Sequence, residues 1–182
     1  KNAVLLVNFG FPNPWKGLEN LCNALKILVK KNNYYLLLLY SMRDDGISYA
    51  ENIKSLVKVE GLEDRVIWLE ALDEDKVSGV LKASDIFVAP YLDGASVRRG
   101  SLIAAIVHGM AIVTTFPRVK VEYLKNNENM IMVKPEDPSI LSSAIEELSR
   151  DATLYQRLKT NIKALEPIFN WRRIAEETLK VY

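Results

Sequence analysis

Residues 83–115 read ASDIFVAPYLDGASVRRGSLIAAIVHGMAIVTT, and two short apolar runs enclose a helical pattern within them. The runs Ile86–Ala89 and Ile112–Thr115 are nearly continuous in apolar or β-branched residues, which is typical of strands buried on both faces. Between them, the apolar residues of Leu102–Val107 recur at helical spacing. A strand, a helix and a second strand in this order form a right-handed crossover between parallel strands. The stretch therefore predicts an α/β fold.

The same alternation continues on both sides of this unit. Further strands are predicted at Ala3–Val7, Tyr34–Tyr40, Val66–Leu69 and Met130–Val133. Helical spacing marks the segments 18–29, 53–57 and 77–81 between them. The sequence therefore predicts a doubly wound, six-stranded parallel sheet with helices on both faces. Ligands of such sheets bind beyond the carboxyl ends of the strands.

The C-terminal third is predicted to be helical. Asp137-Pro138 supplies a capping side chain and a first-turn proline for one helix. Two more helical stretches follow at Leu154–Leu165 and Trp171–Val181, and Pro167 predicts a break between them. We interpret residues 1–182 as one domain.

Composition excludes several classes of protein. The 182 residues carry a formal net charge of +1, so there is no overall field to recruit nucleic acid or an anionic membrane. The single cysteine, Cys22, lies in an apolar helical pattern and permits neither a disulfide nor a cysteine-based zinc site. No apolar run is long enough to span a bilayer, and the chain opens on a strand without a leader pattern. These features favour a cytoplasmic domain cut at a domain boundary, with a peripheral membrane contact of the full-length protein left open.

The loop after the first strand, residues 8–17, is the first candidate for chemistry. The ammonium of Lys16 could meet a phosphate attracted by the N-terminus of the following helix. Gly10 and Gly17 would let the backbone approach closely. The alternative is a solvated lysine in a turn.

The loop after the fourth strand, residues 91–101, is the second candidate. Backbone N–H groups near Gly100 and Ser101 can donate to phosphate oxygens, and Arg98 or Arg99 would add charge-assisted bonds. Only one of two adjacent arginines needs to face the ligand. The alternative is an exposed basic turn that caps a helix.

Other side chains of known chemistry give weaker signals. His108 ends an apolar helix just before a glycine, which favours helix termination or packing over catalysis. The loop carboxylates lack the spacing of a metal site and are expected to cap helices or face water; they are Asp44, Asp45, Glu70, Asp73, Glu74 and Asp75.

The order of these motifs resembles the C-terminal domain of GT-B glycosyltransferases, in particular the large retaining family 4. The resemblance covers essentially the whole chain and rests on several weak motifs in the right order. These are Gly10, the pair Lys16-Gly17, residues 83–90, Gly109–Val113, Glu122 and Phe169-Asn170-Trp171.

The resemblance implies that Lys16 contacts the diphosphate of a nucleotide-sugar donor. It also implies that the base lies against the loop after the third strand. A missing N-terminal domain would bind the acceptor across a cleft, and the C-terminal helix at 167–182 would cross toward that domain. Two family glutamates correspond here to Ser96 and Ala104, and a family arginine corresponds to Phe11. We expect Arg98 and Arg99 to supply the missing positive charge.

The two loops and the resemblance together give the expected site. Around the donor diphosphate we expect Lys16, Arg98, Arg99, Gly100 and Ser101. Around the sugar or the nucleotide we expect Gly10, Glu70, Ala71, Leu72, Ser96 and Thr114. No metal or other cofactor is expected, and no residue is assigned as catalytic.

The leading hypothesis is the donor-binding domain of a retaining glycosyltransferase that moves a sugar from a nucleotide diphosphate sugar to an unknown acceptor. The isolated domain would be inactive. The alternative is a degenerate, non-catalytic nucleotide-binding or interaction domain, which the absent glutamates favour. A receiver or flavodoxin-like protein shares the architecture. A receiver needs an acidic pocket at its strand ends, and none of the strand ends in this sequence gathers carboxylates.

Overall fold

The computed structural model describes residues 3–40 and 46–181, and within them it contains a six-stranded parallel sheet in the order β3-β2-β1-β4-β5-β6. The strands are β1 (Val4–Phe9), β2 (Tyr34–Tyr40), β3 (Val66–Glu70), β4 (Ile86–Ala89), β5 (Ala111–Thr115) and β6 (Ile131–Val133). The predicted doubly wound sheet is confirmed, and each predicted strand agrees with an observed one to within two residues at either end.

Seven α-helices occupy the described part of the chain. They are α1 (Leu18–Leu28), α2 (Ile47–Val59), α3 (Glu74–Ala83), α4 (Gly100–Val107), α5 (Pro138–Arg150), α6 (Ala152–Lys163) and α7 (Trp171–Leu179). The predicted aspartate cap is present, because the Asp137 side chain accepts a hydrogen bond from the Ile140 N–H at the start of α5. The predicted break is also present: Pro167 lies in a short 3₁₀ turn, Glu166–Phe169, between α6 and α7.

Side chains alternate between two cores on opposite faces of the sheet. In β4, Ile86 and Val88 pack on one face, whereas Phe87 and Ala89 pack on the other. The first face is covered by α1, α2 and α5, and the second by α3 and α4. Helices on both faces are therefore confirmed.

The direction in which successive strands are added to the sheet reverses between β1 and β4. Chain order runs outward from β1 through β2 to β3, and then returns to β4 beside β1. The loops that follow β1 and β4 therefore leave the same edge of the sheet and diverge, which opens a crevice where doubly wound proteins bind ligands. Both sequence candidates for chemistry lie on these loops.

The last helix, α7, packs no buried side chain onto the rest of the domain among the residues whose burial is described. It begins at Asn170, whose side chain accepts hydrogen bonds from the N–H groups of Arg172 and Arg173. The side chain of Trp171 lies outside what the structure describes, as do Asp44 and Asp45.

Candidate functional site

The loop after β1 folds back so that the Lys16 side chain reaches the end of β1 at Phe9. A 3₁₀ turn at Pro14–Lys16 ends at Gly17, which has φ +65° and also precedes α1. The loop is tied to its neighbours by hydrogen bonds from the Gly10 N–H to the Leu39 oxygen, 3.0 Å, and from the Leu92 N–H to the Trp15 oxygen, 3.0 Å. Lys16 is therefore held at the carboxyl edge of the sheet.

Lys16 is buried rather than solvated, with 6% of its surface exposed. Its Nζ donates to the Phe9 oxygen at 2.9 Å and to the Ser101 Oγ at 3.0 Å. Gly10 has φ +127°, and a Cβ there would lie 2.5 Å from this Nζ, so a side chain at this position would displace the ammonium. The alternative of a solvated lysine in a turn is wrong.

No carboxylate pairs with Lys16 among the residues in the described ranges. Burial, and to a smaller extent the nearby positive charge of Arg99, lower the pKa of Lys16 from 10.5 to about 8. A buried ammonium without a counter-ion is unfavourable in the empty site. An anion that reached this ammonium would recover that cost.

The loop after β4 brings a second cation to the same place. The Arg99 guanidinium lies over the Tyr91 ring, 4.0 Å from its centroid, and forms an ion pair with Asp93. The Lys16 Nζ lies 5.5 Å from the centroid of the same ring. The buried Nε of Arg99 has no hydrogen-bond partner within the described part of the chain. Tyr91 is thus an aromatic platform that two cations share.

The N-terminus of α4 completes the candidate site. Its N-cap residue, Arg99, makes no side-chain capping bond, and Gly100 is exposed. Ser101 is buried, and its Oγ contacts the Tyr91 hydroxyl at 3.0 Å as well as Lys16. Two cations and uncapped N–H groups around one crevice form an arrangement that can bind phosphate oxygens.

The structure separates the two adjacent arginines. Arg99 faces Tyr91, whereas Arg98 is exposed and lies beside a different cavity, together with Ser96. The Ser96 Oγ accepts a hydrogen bond from the Arg98 N–H at 3.3 Å. Of the residues expected at the diphosphate, Lys16 and Ser101 are in direct contact, and Arg99 lies close enough to lower the pKa of Lys16.

The remaining expected residues lie farther out or inside the sheet. Thr114 is fully buried in β5, and its hydroxyl donates to the Ala89 oxygen at 2.8 Å. Glu70 is exposed at the end of β3, two strands away from β1, and pairs with Lys54 at 3.4 Å. Ala71 has φ +52° and is exposed, and Leu72 is half-buried.

Sequence reasoning missed Tyr91 and Asp93. Tyr91 directly follows Pro90 at the end of β4, so its place at the carboxyl edge was the available signal. Asp93 is six residues from Arg99 in the sequence, and no local pattern pairs residues at that spacing in a loop. Their ion pair is seen only in the folded loop.

Two side chains have the structural roles expected of them. His108 caps α4, with its Nδ1 2.7 Å from the Ala104 oxygen and its Nε2 2.9 Å from the Ser78 Oγ. Cys22 is fully buried, and burial raises the pKa of its thiol to about 12. Within residues 3–40 and 46–181, no three histidine, cysteine or carboxylate side chains form a metal-binding group, and no helix is long and apolar enough to cross a membrane.

The burial of Lys16 predicts a pH dependence of stability. The pKa of Lys16 is lowered in the folded protein, so the unfolded chain binds more protons between about pH 8 and 10.5. The cost of burying the charge is therefore fully present below pH 8 and is relieved as the pH rises. We expect the free energy of unfolding of the wild type to rise toward that of Lys16→Met between pH 8 and 10, as measured by urea denaturation. A constant difference across this range would contradict the burial of a charged lysine.

Comparison with known proteins places this geometry in a family. The family model for glycosyl transferases group 1 matches residues 3–151. No curated protein sequence matches the chain significantly. A solved C-terminal domain of a glycosyl transferase group 1 family protein (LpcC) from Francisella tularensis superposes with a TM-score of 0.77 and 18% identity, over 89% of this chain and 83% of that chain.

Two longer proteins share the fold over the whole of this chain. A glycosyltransferase from Rickettsia africae gives a TM-score of 0.86 at 18% identity, over 100% of this chain and 48% of that chain. Anabaena HepE in complex with UDP-glucose gives 0.84 at 20% identity, over 100% and 50%. The chain therefore spans about half the length of these two proteins. Because the family model covers most of the sequence and the sheet matches GT-B domains, we conclude that the chain belongs to glycosyl transferases group 1.

Proposed function

We propose that this chain is the donor-binding domain of a retaining glycosyltransferase that transfers a sugar from a nucleotide diphosphate sugar. The observation that carries the proposal is the buried ammonium of Lys16, without a described counter-ion, beside the N-terminus of α4. Such a site binds an anion more favourably than it remains empty. HepE was solved with UDP-glucose on the same fold, which supports a nucleotide-sugar as the anion.

The residues around the crevice would act on the leaving group. As the bond between the sugar C1 and the phosphate oxygen breaks, its electron pair stays on the diphosphate. Lys16 and Arg99 would stabilise that negative charge, and the N–H groups of Gly100 and Ser101 would donate to its oxygens. The acceptor hydroxyl oxygen would attack C1 on the face that the diphosphate leaves, which retains the configuration, and its proton would pass to an oxygen of the departing diphosphate. This electrostatic role requires no metal ion or other cofactor.

The rest of the proposed enzyme is inferred from relatives of about twice this length. An N-terminal domain would bind the acceptor, and residues 167–182 would cross toward it. The end of β3, including Glu70, Ala71 and Leu72, would approach the base. The domain alone would then bind the donor without turnover. The full-length protein would be cytoplasmic, with or without a peripheral contact to a membrane.

A second candidate function is a non-catalytic nucleotide-binding domain. Ser96 and Ala104 stand where the family is expected to carry glutamates, so contacts to the sugar and ribose are reduced. Nucleotide binding without discrimination among sugar conjugates, together with no transfer by the full-length protein, would favour this candidate.

Calorimetric titration of the 182-residue chain tests the proposal. UDP, GDP and ADP, and then their sugar conjugates, are titrated into the wild type and into Ser101→Ala. We expect saturable binding of one nucleotide, weakened about tenfold when the hydroxyl that positions Lys16 is removed. If a cooperatively folded chain binds none of the three nucleotides, the proposal is wrong.

A further inference from the structure

A second cavity lies beside the diphosphate crevice. It has a volume of about 450 Å³, and it is formed by the loop after β4 and by the loop after β5. Two arginines, Arg98 and Arg118, line it together with Val97, Val119 and Val121. A cavity with two guanidinium groups and apolar walls is suited to a ligand with an acidic group on a less polar body.

The two loops are fastened together, so the cavity is a built part of the fold. The Ala95 N–H donates to the Thr115 oxygen at 3.2 Å, and the Thr115 hydroxyl donates to the Tyr91 oxygen at 2.7 Å. Gly94 has φ +86°, and a Cβ there would overlap the Phe116 oxygen. This close approach sets the spacing of the cavity walls.

The cavity has an excess of positive charge. Arg98 and Arg118 are both exposed, and neither guanidinium has an ion-pair partner in the described part of the chain. The one carboxylate in the lining, Asp93, is already neutralised by Arg99. Two unpaired guanidinium groups at one opening bind carboxylate or phosphate in preference to a neutral hydroxyl.

The position of the cavity relates it to the donor. Asp93 in the cavity lining pairs with Arg99, and the Arg99 guanidinium lies over the same Tyr91 ring that the Lys16 Nζ approaches. A substrate with its diphosphate at Lys16 would therefore present its neighbouring group to Arg98 and Arg118. We propose that this cavity binds an acidic group, a carboxylate or a phosphate, on a sugar substrate held beside the donor diphosphate. The inference rests on the proposed donor-binding function.

The acidic group can come from the donor sugar or from the acceptor, and two titrations distinguish these sources. The first compares UDP-glucuronate with UDP-glucose. The second adds glucose 6-phosphate, and glucose as its neutral counterpart, to the chain saturated with UDP. Each titration is repeated with Arg98→Gln, with Arg118→Gln and with the control Arg150→Gln. Arg150 is exposed and is the last residue of α5. It is far from the two cavity arginines, because the preceding residue, Ser149, lines a cavity with Ala3 and Asp85 at the opposite edge of the sheet.

We expect the acidic member of one pair to bind roughly tenfold more tightly than its neutral counterpart. The ratio of the two affinities should fall toward one in both cavity variants and stay unchanged in the control. A preference for UDP-glucuronate supports an acidic donor sugar, and a preference for glucose 6-phosphate supports an acidic acceptor. Equal affinities in both pairs, or ratios that the cavity variants leave unchanged, would overturn the inference.

The test remains informative if the proposed function is wrong. Saturation-transfer NMR with free glucuronate and glucose 6-phosphate measures the cavity without any nucleotide. If UDP, GDP and ADP all fail to bind, the donor-binding proposal falls, and these two probes still decide whether Arg98 and Arg118 bind acids. Signals equal in the wild type and the cavity variants would overturn the inference independently.

Discussion

Replacing Lys16 by methionine is expected to weaken nucleotide diphosphate binding by roughly a hundredfold, because a buried charge-assisted contact to phosphate is lost. The same change is expected to stabilise the empty domain. Lys16 is 6% exposed, and its pKa is lowered to about 8 mainly by burial, so removal of the ammonium relieves a cost in the folded state. After the loss of its bonds to Phe9 and Ser101, we expect a net gain of about 1–2 kcal/mol in the free energy of unfolding at pH 7.

This combination separates a binding role from a structural one. Calorimetry measures the binding, and urea denaturation measures the stability. Lys30→Met is the matched control, since Lys30 is exposed just after α1 and should change neither quantity appreciably. A Lys16→Met chain that keeps near-normal affinity would refute the phosphate role. A chain that becomes less stable would show that Lys16 holds the two loops together instead.

Replacing Gly17 by alanine is expected to destabilise the domain by about 3 kcal/mol or more, because two separate costs coincide at this position. The backbone has φ +65°, which disfavours a side chain. The added Cβ would also overlap the Pro90 oxygen and lie 3.2 Å from its carbonyl carbon. The clashing atoms belong to the Pro90 backbone just after β4 and cannot shift easily, so the loop that carries Lys16 must move away. We expect a melting temperature about 10 °C lower by calorimetry, with nucleotide binding lost as well.

Two other glycines separate these costs. Gly61 has φ +66°, but a Cβ there would meet nothing within 4 Å, so Gly61→Ala measures the backbone cost alone, about 1 kcal/mol. Gly79 lies inside α3 with open space around it, and Gly79→Ala is expected to stabilise by about 0.5–1 kcal/mol. Equal effects at Gly17 and Gly61 would show that the contact with Pro90 is soft.

The elements of this fold could be predicted from local patterns. Runs such as Ile86–Ala89 are buried on both faces and therefore carry few polar residues, and Asp137-Pro138 marks a helix start by capping chemistry alone. The location of the candidate loops at the carboxyl ends of the strands could be predicted as well, because ligands of doubly wound sheets bind there. Lys16 was placed there by its position after a strand end.

The state of the site could not be predicted, because it depends on contacts between distant residues. The burial of Lys16 follows from Ser101, 85 residues away, and from the space above Gly10. Arg98 and Arg99 have the same chemistry in the sequence, and only the closed loop shows that Asp93 engages Arg99 and leaves Arg98 at another cavity. Periodicity and capping rules contain no information about such pairs.

The return of the chain from β3 to β4 has a consequence for folding kinetics. The bonds that join β1 to the second half of the sheet, from the Leu5 N–H to the Asp85 carboxylate and from the Asn8 amide to the Val88 oxygen, each close a loop of 80 residues. Contacts of such high sequence separation require a loss of loop-closure entropy, which slows folding. Lys16 and Ser101 belong to different halves of the chain, so neither half can form the site alone during synthesis or refolding. Nucleotide binding should therefore appear at the same rate as the native fold.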